Sequence, residues 1–409
     1  MSTKPTADQG FIRKLNTAVL LDALRRFAPL SRADLAARTG LNRSTVSIIV
    51  NNLIEEGFVQ ETDFQNSKIG RPGMLLVLNP KGGFAVGVEI GVDFISVILT
   101  DFTANVLWEQ HITSDPAEDQ IRILDRASEM TQKAIDAGIQ QGLRPLGIGI
   151  GVPGLVDIHQ GKLILAPNLH WTNVPLRLMW SQRFDMPIFI ENEANAAALG
   201  EYCFGAALGV DSFIYLSAGI GLGGGIIING KLFRGSSGYA GEVGHMTVDP
   251  DGELCSCGRR GCWETQVGPR AVLHRVSKTL ETGVSSAICD MIQDDLERIT
   301  FESVVKAAIQ DDPVALHALQ EVGENLGKGV ANLVNIFNPE LIVLGGALNL
   351  ASTVLMPIVE RVVSENALPP ACEDLRVVAS AHGIDACVMG AVALVLEDIL
   401  REPFSVVTT

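Results

Sequence analysis

The sequence predicts an α/β protein in which a winged helix-turn-helix precedes a larger body of two α/β lobes. The first 60 residues show a helix, a glycine turn and a helix, and two short strand patterns follow them. Beyond residue 81, two stretches repeat the order strand, turn, strand, turn, strand, and helical sequence with further strands follows each. We therefore expect duplicated lobes with a cleft between them. Residues 1–81 are called the head below, and the remainder is called the body.

Composition excludes several classes of protein. Apolar residues make up 47% and charged residues 19% of the 409 positions, which does not fit a disordered chain. The longest uncharged apolar run, residues 212–230, contains six glycines, and the first ten residues lack the apolar segment of a signal peptide. We expect no membrane contact and a location in the cytoplasm.

Charge is divided unevenly between the head and the body. The head carries 11 basic and 7 acidic side chains, whereas the body carries 20 basic and 40 acidic ones. A basic head on an acidic body fits a protein whose head alone approaches a polyanion. A chance concentration of lysine and arginine gives the same numbers, so charge alone does not establish DNA binding.

The head carries the local signals of a helix-turn-helix. An amphipathic helix stops before Pro29, Ser31 is placed to cap a short second helix, and Gly40 supplies a left-handed turn before the third. The third helix buries an apolar face and turns short polar side chains outward. Such a face is typical of a helix that reads the major groove, although a merely solvated face has the same composition. The predicted major-groove residues are Arg43, Ser44, Thr45, Ser47 and Asn51.

Two strand patterns, residues 58–61 and 74–78, predict a wing after the third helix. In the segment that joins them, Arg71 stands between two glycines and beside a proline. An arginine on so slim a backbone fits a minor groove, where the negative potential of the phosphates is focused. Helix-turn-helix, wing and basic charge together predict that residues 1–81 bind operator DNA.

The body divides near residue 200 in this prediction. Residues 82–200 form the first lobe, which a segment at about 383–400 completes, and residues 201–382 form the second lobe. A glycine-rich turn at residues 217–225 leaves a strand of the second lobe. Such a turn can cradle phosphate with its backbone amides, but glycine-rich turns are common and this signal alone is weak.

One histidine and three cysteines lie within eighteen residues, at His245, Cys255, Cys257 and Cys262. A reducing cytoplasm disfavours disulfides, and this set supplies the four ligands of a closed tetrahedral zinc site. Buried or redox-active cysteines are the alternative. We predict one structural zinc ion per chain, with no ligand position left for a catalytic water.

Several motifs together resemble the ROK family of sugar kinases and sugar-responsive repressors. They are residues 241–264, 190–201, 151–154, 166–171 and 344–346. The resemblance covers essentially the whole chain, and the winged helix-turn-helix looks like the repressor branch, particularly its xylose-repressor-like members. It implies an actin-like (ribonuclease H-like) body of the sugar-kinase type that binds a monosaccharide in the cleft.

The resemblance also implies which residues contact the sugar. By motif position these are Gly154, Asn168, Asn192, Glu193, Glu242, His245 and Glu264. Carboxylates and amides suit a sugar because each hydroxyl both donates and accepts hydrogen bonds. His245 can bind the metal through one ring nitrogen and present the other to a hydroxyl. Taken singly, these residues also fit surface or capping roles, and Glu193 and Glu201 fit the exposed face of a helix.

Two departures from the kinases of the family favour a repressor. Those kinases have Asp, the catalytic base, where this chain has Glu193, whose extra methylene displaces the carboxylate. Their first phosphate loop reads Asp-hydrophobic-Gly-Gly-Thr-Lys, whereas residues 89–94 here read EIGVDF, so that Asp93 brings negative charge towards the phosphates. We therefore predict no catalytic residue, with Glu193 at the base position of a degenerate kinase.

The predicted function is that of a sugar-responsive transcriptional repressor. A homodimer or higher homo-oligomer holds two recognition helices at the spacing of successive half-sites on operator DNA. A monosaccharide of the xylose or glucose type closes the cleft, changes that spacing and releases the operator. The alternative is an ATP-dependent ROK sugar kinase with an appended DNA-binding domain.

Overall fold

The computed structural model of the chain describes residues 9–64 and 74–401. Among the helices in these ranges, none is long and apolar enough to cross a membrane. The head contains three helices and three strands within the described residues. In chain order they are α1 (Gln9–Phe27), β1 (Leu30–Ser31), α2 (Arg32–Thr39), α3 (Arg43–Glu55), β2 (Val59–Phe64) and β3 (Met74–Leu78).

The head folds as the predicted winged helix-turn-helix because local signals fix each boundary. Ser31 caps α2 in a capping box, in which its side chain accepts from the backbone N–H of Asp34 and the Asp34 carboxylate accepts from the N–H of Ser31. Gly40 ends α2 with a left-handed φ of 71°. Asn42 caps α3 and accepts from the N–H of Thr45 at 2.8 Å. Strands β2 and β3 pair antiparallel, with β1 on the other side of β3.

The first lobe is built on a five-stranded sheet. Its elements are β4 (Phe84–Ile90), β5 (Phe94–Asp101), β6 (Val106–Thr113), α4 (Gln120–Gln140), β7 (Pro145–Val152), β8 (Leu155–Asp157), β9 (Lys162–Ala166), β10 (Trp171–Val174), α5 (Leu176–Ser181) and β11 (Ile188–Asn192). The strand order is β11-β7-β4-β5-β6, in which β4, β5 and β6 are antiparallel and β7 and β11 run parallel to β4. Strands β8 to β10 form a separate small sheet.

The second lobe repeats this arrangement. The remaining elements are α6 (Glu193–Phe204), β12 (Phe213–Ala218), β13 (Leu222–Ile228), β14 (Lys231–Leu232), α7 (Pro269–Leu280), α8 (Ala287–Ile292), α9 (Phe301–Ile309), α10 (Pro313–Phe337), β15 (Leu341–Gly346), α11 (Ala347–Leu350), α12 (Ser352–Asn366), α13 (Pro369–Cys372), β16 (Arg376–Ala379) and α14 (Ala386–Arg401). The sheet order β14-β13-β12-β15-β16 again joins three antiparallel strands to two parallel ones. The prediction of duplicated α/β lobes is therefore confirmed.

Helices α6 and α14 pack against each other between the two sheets. Helix α14 lies so close to the first sheet that a Cβ on Gly149 would come within 1.9 Å of the carbonyl oxygen of Ala391. Helix α6 lies equally close to the second sheet, where a Cβ on Gly225 would come within 2.4 Å of the carbonyl oxygen of Ala194. Each helix therefore packs closely on the sheet of a different lobe. The two helices are at least as close to each other, since a Cβ on Gly390 of α14 would come within 1.7 Å of the carbonyl oxygen of Ala196 in α6.

Candidate functional site

The predicted sugar contacts lie at the junction of the two lobes. Four belong to the first lobe or to the turn into α6, namely Gly154, Asn168, Asn192 and Glu193, and three belong to the second lobe, namely Glu242, His245 and Glu264. A Cβ on Gly221, just before β13, would lie 2.9 Å from Oε2 of Glu264 and 3.7 Å from Nδ2 of Asn168. A carboxylate of one lobe and an amide of the other therefore approach the same point.

Asn192 has the capping role that the sequence allowed as an alternative. Its Oδ1 accepts from the N–H groups of Ala194 and Asn195, at 2.9 and 3.1 Å, and so caps α6. Its Nδ2 donates to the carbonyl oxygen of Gly154 at 3.0 Å and to Oε2 of Glu193 at 2.7 Å. The amide thus ties the turn between β7 and β8 to α6, and a sugar contact at Asn192 has to share or replace one of these bonds.

The two glutamates of α6 have different surroundings. Burial, with a smaller contribution from Glu242, raises the pKa of Glu193 to about 8, so that this carboxyl is mostly protonated at neutral pH. Glu201 is fully buried, and it accepts hydrogen bonds from Oγ of Ser380 at 2.5 Å and from the N–H of His382 at 3.1 Å. The exposed-face alternative is therefore wrong for Glu201, which instead anchors α6 to the turn after β16.

His245 lies between two carboxylates of the second lobe. Its Nε2 is 3.9 Å from Oε2 of Glu242, and its Nδ1 is 3.6 Å from Oε1 of Glu264. Burial raises the pKa of Glu242 above its usual value, and His245 opposes this shift. The three residues offer donors and acceptors on one side of the junction, which is what recognition of vicinal hydroxyls requires.

The same histidine takes part in a compact cluster of metal-ligating side chains. Sγ of Cys255 lies 3.6 Å from Nδ1 of His245, and Sγ of Cys257 lies 3.6 Å from Sγ of Cys262. One ligand atom from each of the four residues falls within 4.8 Å of the others. Sulfur ligands about 2.3 Å from a tetrahedral metal lie about 3.7 Å apart, so these spacings fit. The cluster can hold a metal ion.

A side chain of the loop at residues 89–94 occupies the space inside that loop. A Cβ on Gly91 would lie 2.4 Å from the ring of Phe94, and that ring stacks on His111 with centroids 5.1 Å apart. Asp93 is exposed at the tip of the turn. Burial and the neighbouring Glu193 raise the pKa of Glu89 to about 8. Phe94 thus stands at the position where the resemblance to the kinases of the family implies a lysine.

The predicted DNA contacts lie on α3, with one exception. Arg43, Ser44 and Asn51 are exposed, whereas Thr45 and Ser47 are half-buried. Some of their polar groups already have partners, since Oγ of Ser47 donates to the carbonyl oxygen of Arg43 and Nη2 of Arg32 donates to Oδ1 of Asn51. Arg71 lies outside the described residues.

Sequence reasoning missed Ile48 on the same helix. This side chain is 61% exposed, next to the outward polar residues and opposite the buried face formed by Val46, Ile49 and Val50. The signal was available, because position 48 falls between the buried positions at helical spacing. Its apolar side chain lacks the hydrogen-bonding groups on which the prediction of major-groove residues was based.

Comparison with known proteins agrees with this architecture. The family model described as "ROK family" matches residues 85–398, and the model described as "MarR family" matches residues 14–67. The xylose repressor of Caldicellulosiruptor bescii is 38% identical over 96% of this chain and 98% of its own length. A ROK family transcriptional regulator, a homologue of the Escherichia coli MLC protein, has a TM-score of 0.81 and 30% identity, with 95% of this chain and 98% of that chain covered. The glucokinase of Streptomyces griseus, solved with glucose and AMPPNP, has a TM-score of 0.68 and 33% identity, with 76% of this chain and 99% of that chain covered.

Proposed function

Because this chain belongs to the ROK family, we propose that it is a sugar-responsive transcriptional repressor, which binds operator DNA through its head and a monosaccharide in its cleft. The observation that carries the proposal is the joint presence of a winged helix-turn-helix and a junction of two lobes where the predicted sugar contacts meet. Relatives matched over almost their whole length are named xylose repressors, whereas the glucokinase covers only 76% of this chain.

The sugar, of the xylose or glucose type, lies between the amide of Asn168 and the carboxylate of Glu264 in this proposal. Their approach to Gly221 from opposite lobes supports it, because a ligand bridging them favours the closed arrangement of the lobes. Glu242 and His245 add a carboxylate and a ring N–H for further hydroxyls.

We also propose that the ion in the cluster is one structural zinc per chain. Three thiolates and one imidazole form a ligand set that binds zinc in preference to magnesium or calcium. The zinc neutralises the thiolates and fixes the segment that carries Glu242 and Glu264, and the sugar is bound by protein groups alone. His245 contributes to both sites, since Nδ1 faces the thiol of Cys255 and Nε2 faces Glu242.

A homodimer presents two copies of α3 to successive half-sites, and sugar shifts the population towards an arrangement in which that spacing is lost. The test uses the full chain. Duplexes selected from random DNA by the protein supply the operator, and its dissociation constant is measured with and without each pentose or hexose of a panel. We expect at least one sugar to weaken binding by about 10-fold or more, within the usual range of allosteric coupling. Failure to select any DNA sequence overturns the proposal.

A DNA-binding kinase is the second candidate, favoured by the glycine-rich strand β13 and by the similarity to the glucokinase. The two candidates differ in whether the bound sugar is phosphorylated or only sensed.

Replacing Ile48 with Ala should weaken operator binding about fourfold. An exposed isoleucine on a major-groove helix can contact the 5-methyl group of thymine, and burial of one methyl-sized group contributes about 0.8 kcal/mol. The measurement replaces each thymine of the selected operator in turn with deoxyuridine, which lacks that methyl. The operator affinity of the native protein should fall about fourfold when deoxyuridine replaces thymine at one or two positions. The affinity of the Ile48→Ala variant should not change at those positions. Ile121→Ala, at an equally exposed isoleucine of α4, is the control. An undiminished response of the Ile48 variant to deoxyuridine would rule out the contact.

A further inference from the structure

The head rests on both lobes of the body, in two different ways. Its contact with the first lobe is apolar, since Leu24, Phe58 and Leu76 of the head share one buried cluster with Phe102 and Leu396 of the body. Arg144 reinforces this contact, because Nη2 donates to the carbonyl oxygen of Glu56 and the guanidinium lies 4.2 Å from the ring centroid of Phe58. This contact attaches the head to the first lobe.

The contact with the second lobe adds polar groups at the end of α1 to the packing of Phe204 against the same apolar cluster. Nη1 of Arg25 donates to the carbonyl oxygen of Cys203 at 3.0 Å, and Nη2 of Arg26 donates to the hydroxyl of Tyr202. Both guanidinium groups lie over the Tyr202 ring, 5.8 and 5.1 Å from its centroid. Asp211 accepts from the Tyr202 hydroxyl at 3.4 Å and lies 3.6 Å from Nη1 of Arg26. We call Arg25, Arg26, Tyr202 and Asp211 the latch.

Helix α6 connects this latch to the sugar junction. Asn192 and Glu193 lie at its first turn and Tyr202 and Cys203 at its last, about 15 Å apart at 1.5 Å per residue. The helix is buried along its length, and Glu201 holds it to the turn after β16. The sheet closest to α6 is that of the second lobe, although Asn192 also ties its first turn to the turn after β7. The apolar contact of the head is with the first lobe.

We propose that Tyr202 and Asp211 are positioning residues that transmit sugar occupancy to the DNA-binding head. A rotation of the lobes around sugar displaces α6 relative to α14. The latch converts this displacement into a shift of α1 relative to the apolar cluster that it shares with the first lobe. Without the latch the head follows the first lobe only and loses the signal. This inference rests on the proposed repressor function, because it specifies how the same sugar site controls operator binding.

The test changes the body side of the latch and leaves every predicted DNA contact and sugar contact intact. The double variant Tyr202→Phe, Asp211→Asn removes the hydroxyl and the charge through which the body contacts Arg26. It keeps the aromatic ring, the ion pair of Arg26 with Asp22 within α1, and the bond from Arg25 to the carbonyl oxygen of Cys203. The quantity measured is the ratio of operator dissociation constants with and without the sugar that binds the native chain best. We expect the native ratio of about 10-fold or more to fall to within about twofold of unity. Calorimetry should show that sugar affinity stays within about threefold of native.

Tyr215→Phe is the matched control, because Tyr215 is a buried tyrosine of the second lobe in β12, away from the head. Its ratio should equal that of the native chain. A double variant that retains the native ratio overturns the latch and leaves the repressor function standing. A native chain that binds both operator and sugar, with a ratio of unity, overturns the repressor function and the latch together. If the double variant does not fold, Arg26→Gln, which removes the guanidinium that contacts Tyr202 and Asp211 from the α1 side, is measured in its place against the same two outcomes.

Discussion

Replacing Cys257 with Ser is expected to remove the metal and to lower sugar affinity by about 100-fold. Between β14 and α7 the chain forms short 3₁₀ turns and isolated bridges in place of helix or sheet, and Glu242 and Glu264 lie at two of these turns. A zinc ion in the cluster, as proposed, would join both ends of this segment through His245 and Cys262. Loss of one ligand opens the site, and changes around a metal of this kind typically cost 10- to 100-fold in function.

The measurement combines metal analysis of protein purified without chelator with calorimetry against the best-binding sugar. The native chain should contain about one zinc per chain, in keeping with a closed tetrahedral site. Cys289→Ser is the control, because Cys289 is a half-buried cysteine of α8 outside the cluster, and it should retain both zinc and affinity. Native protein without zinc contradicts the assignment of the metal. A zinc-free Cys257→Ser variant with unchanged sugar affinity contradicts the role given to it.

Local signals explain why much of the fold could be predicted from the sequence. Ser31, Gly40 and Asn42 act on their immediate neighbours, so their effects are visible within a few residues. The partner of a helix face is not encoded locally. The apolar positions of α1 are buried at Leu20 and Leu24 but exposed at Ile12 and Leu15, because periodicity shows which residues share a face and not what covers it.

The same distinction separates the parts of the site. The metal cluster could be predicted because its four ligands belong to one short segment. The sugar contacts required a family resemblance, since Gly154 and Glu264 come from different lobes. Arg26 and Tyr202 are 176 positions apart, and no pattern around either residue indicates that they meet. The burial of Glu201 could not be predicted from the sequence either. Its hydrogen-bond partners follow β16 and are 179 and 181 positions away along the chain.

The largest effect expected is the absence of useful phosphoryl transfer. With ATP, magnesium and the best-binding sugar, we expect turnover below about 10⁻³ s⁻¹, at least about 1,000-fold under the ordinary range of enzymes. Burial keeps the pKa of Glu193 at about 8, so at neutral pH most molecules carry a protonated carboxyl that cannot act as a base. The Phe94 ring covers Gly91, and a phosphate-binding lysine is replaced.

A coupled assay at several pH values separates these two defects. If the protonation of Glu193 were the only one, turnover would rise about tenfold per pH unit up to about pH 8 and then level off, because the deprotonated fraction increases in that way. We expect no such rise, and we expect Glu193→Asp to stay inactive, since Asp93 and Phe94 still occupy the first phosphate loop. The Streptomyces griseus glucokinase, assayed alongside with glucose, shows that the conditions support transfer. Turnover of about 1 s⁻¹ or more by the native chain would establish the DNA-binding kinase in place of the repressor, because the bound sugar would then be a substrate.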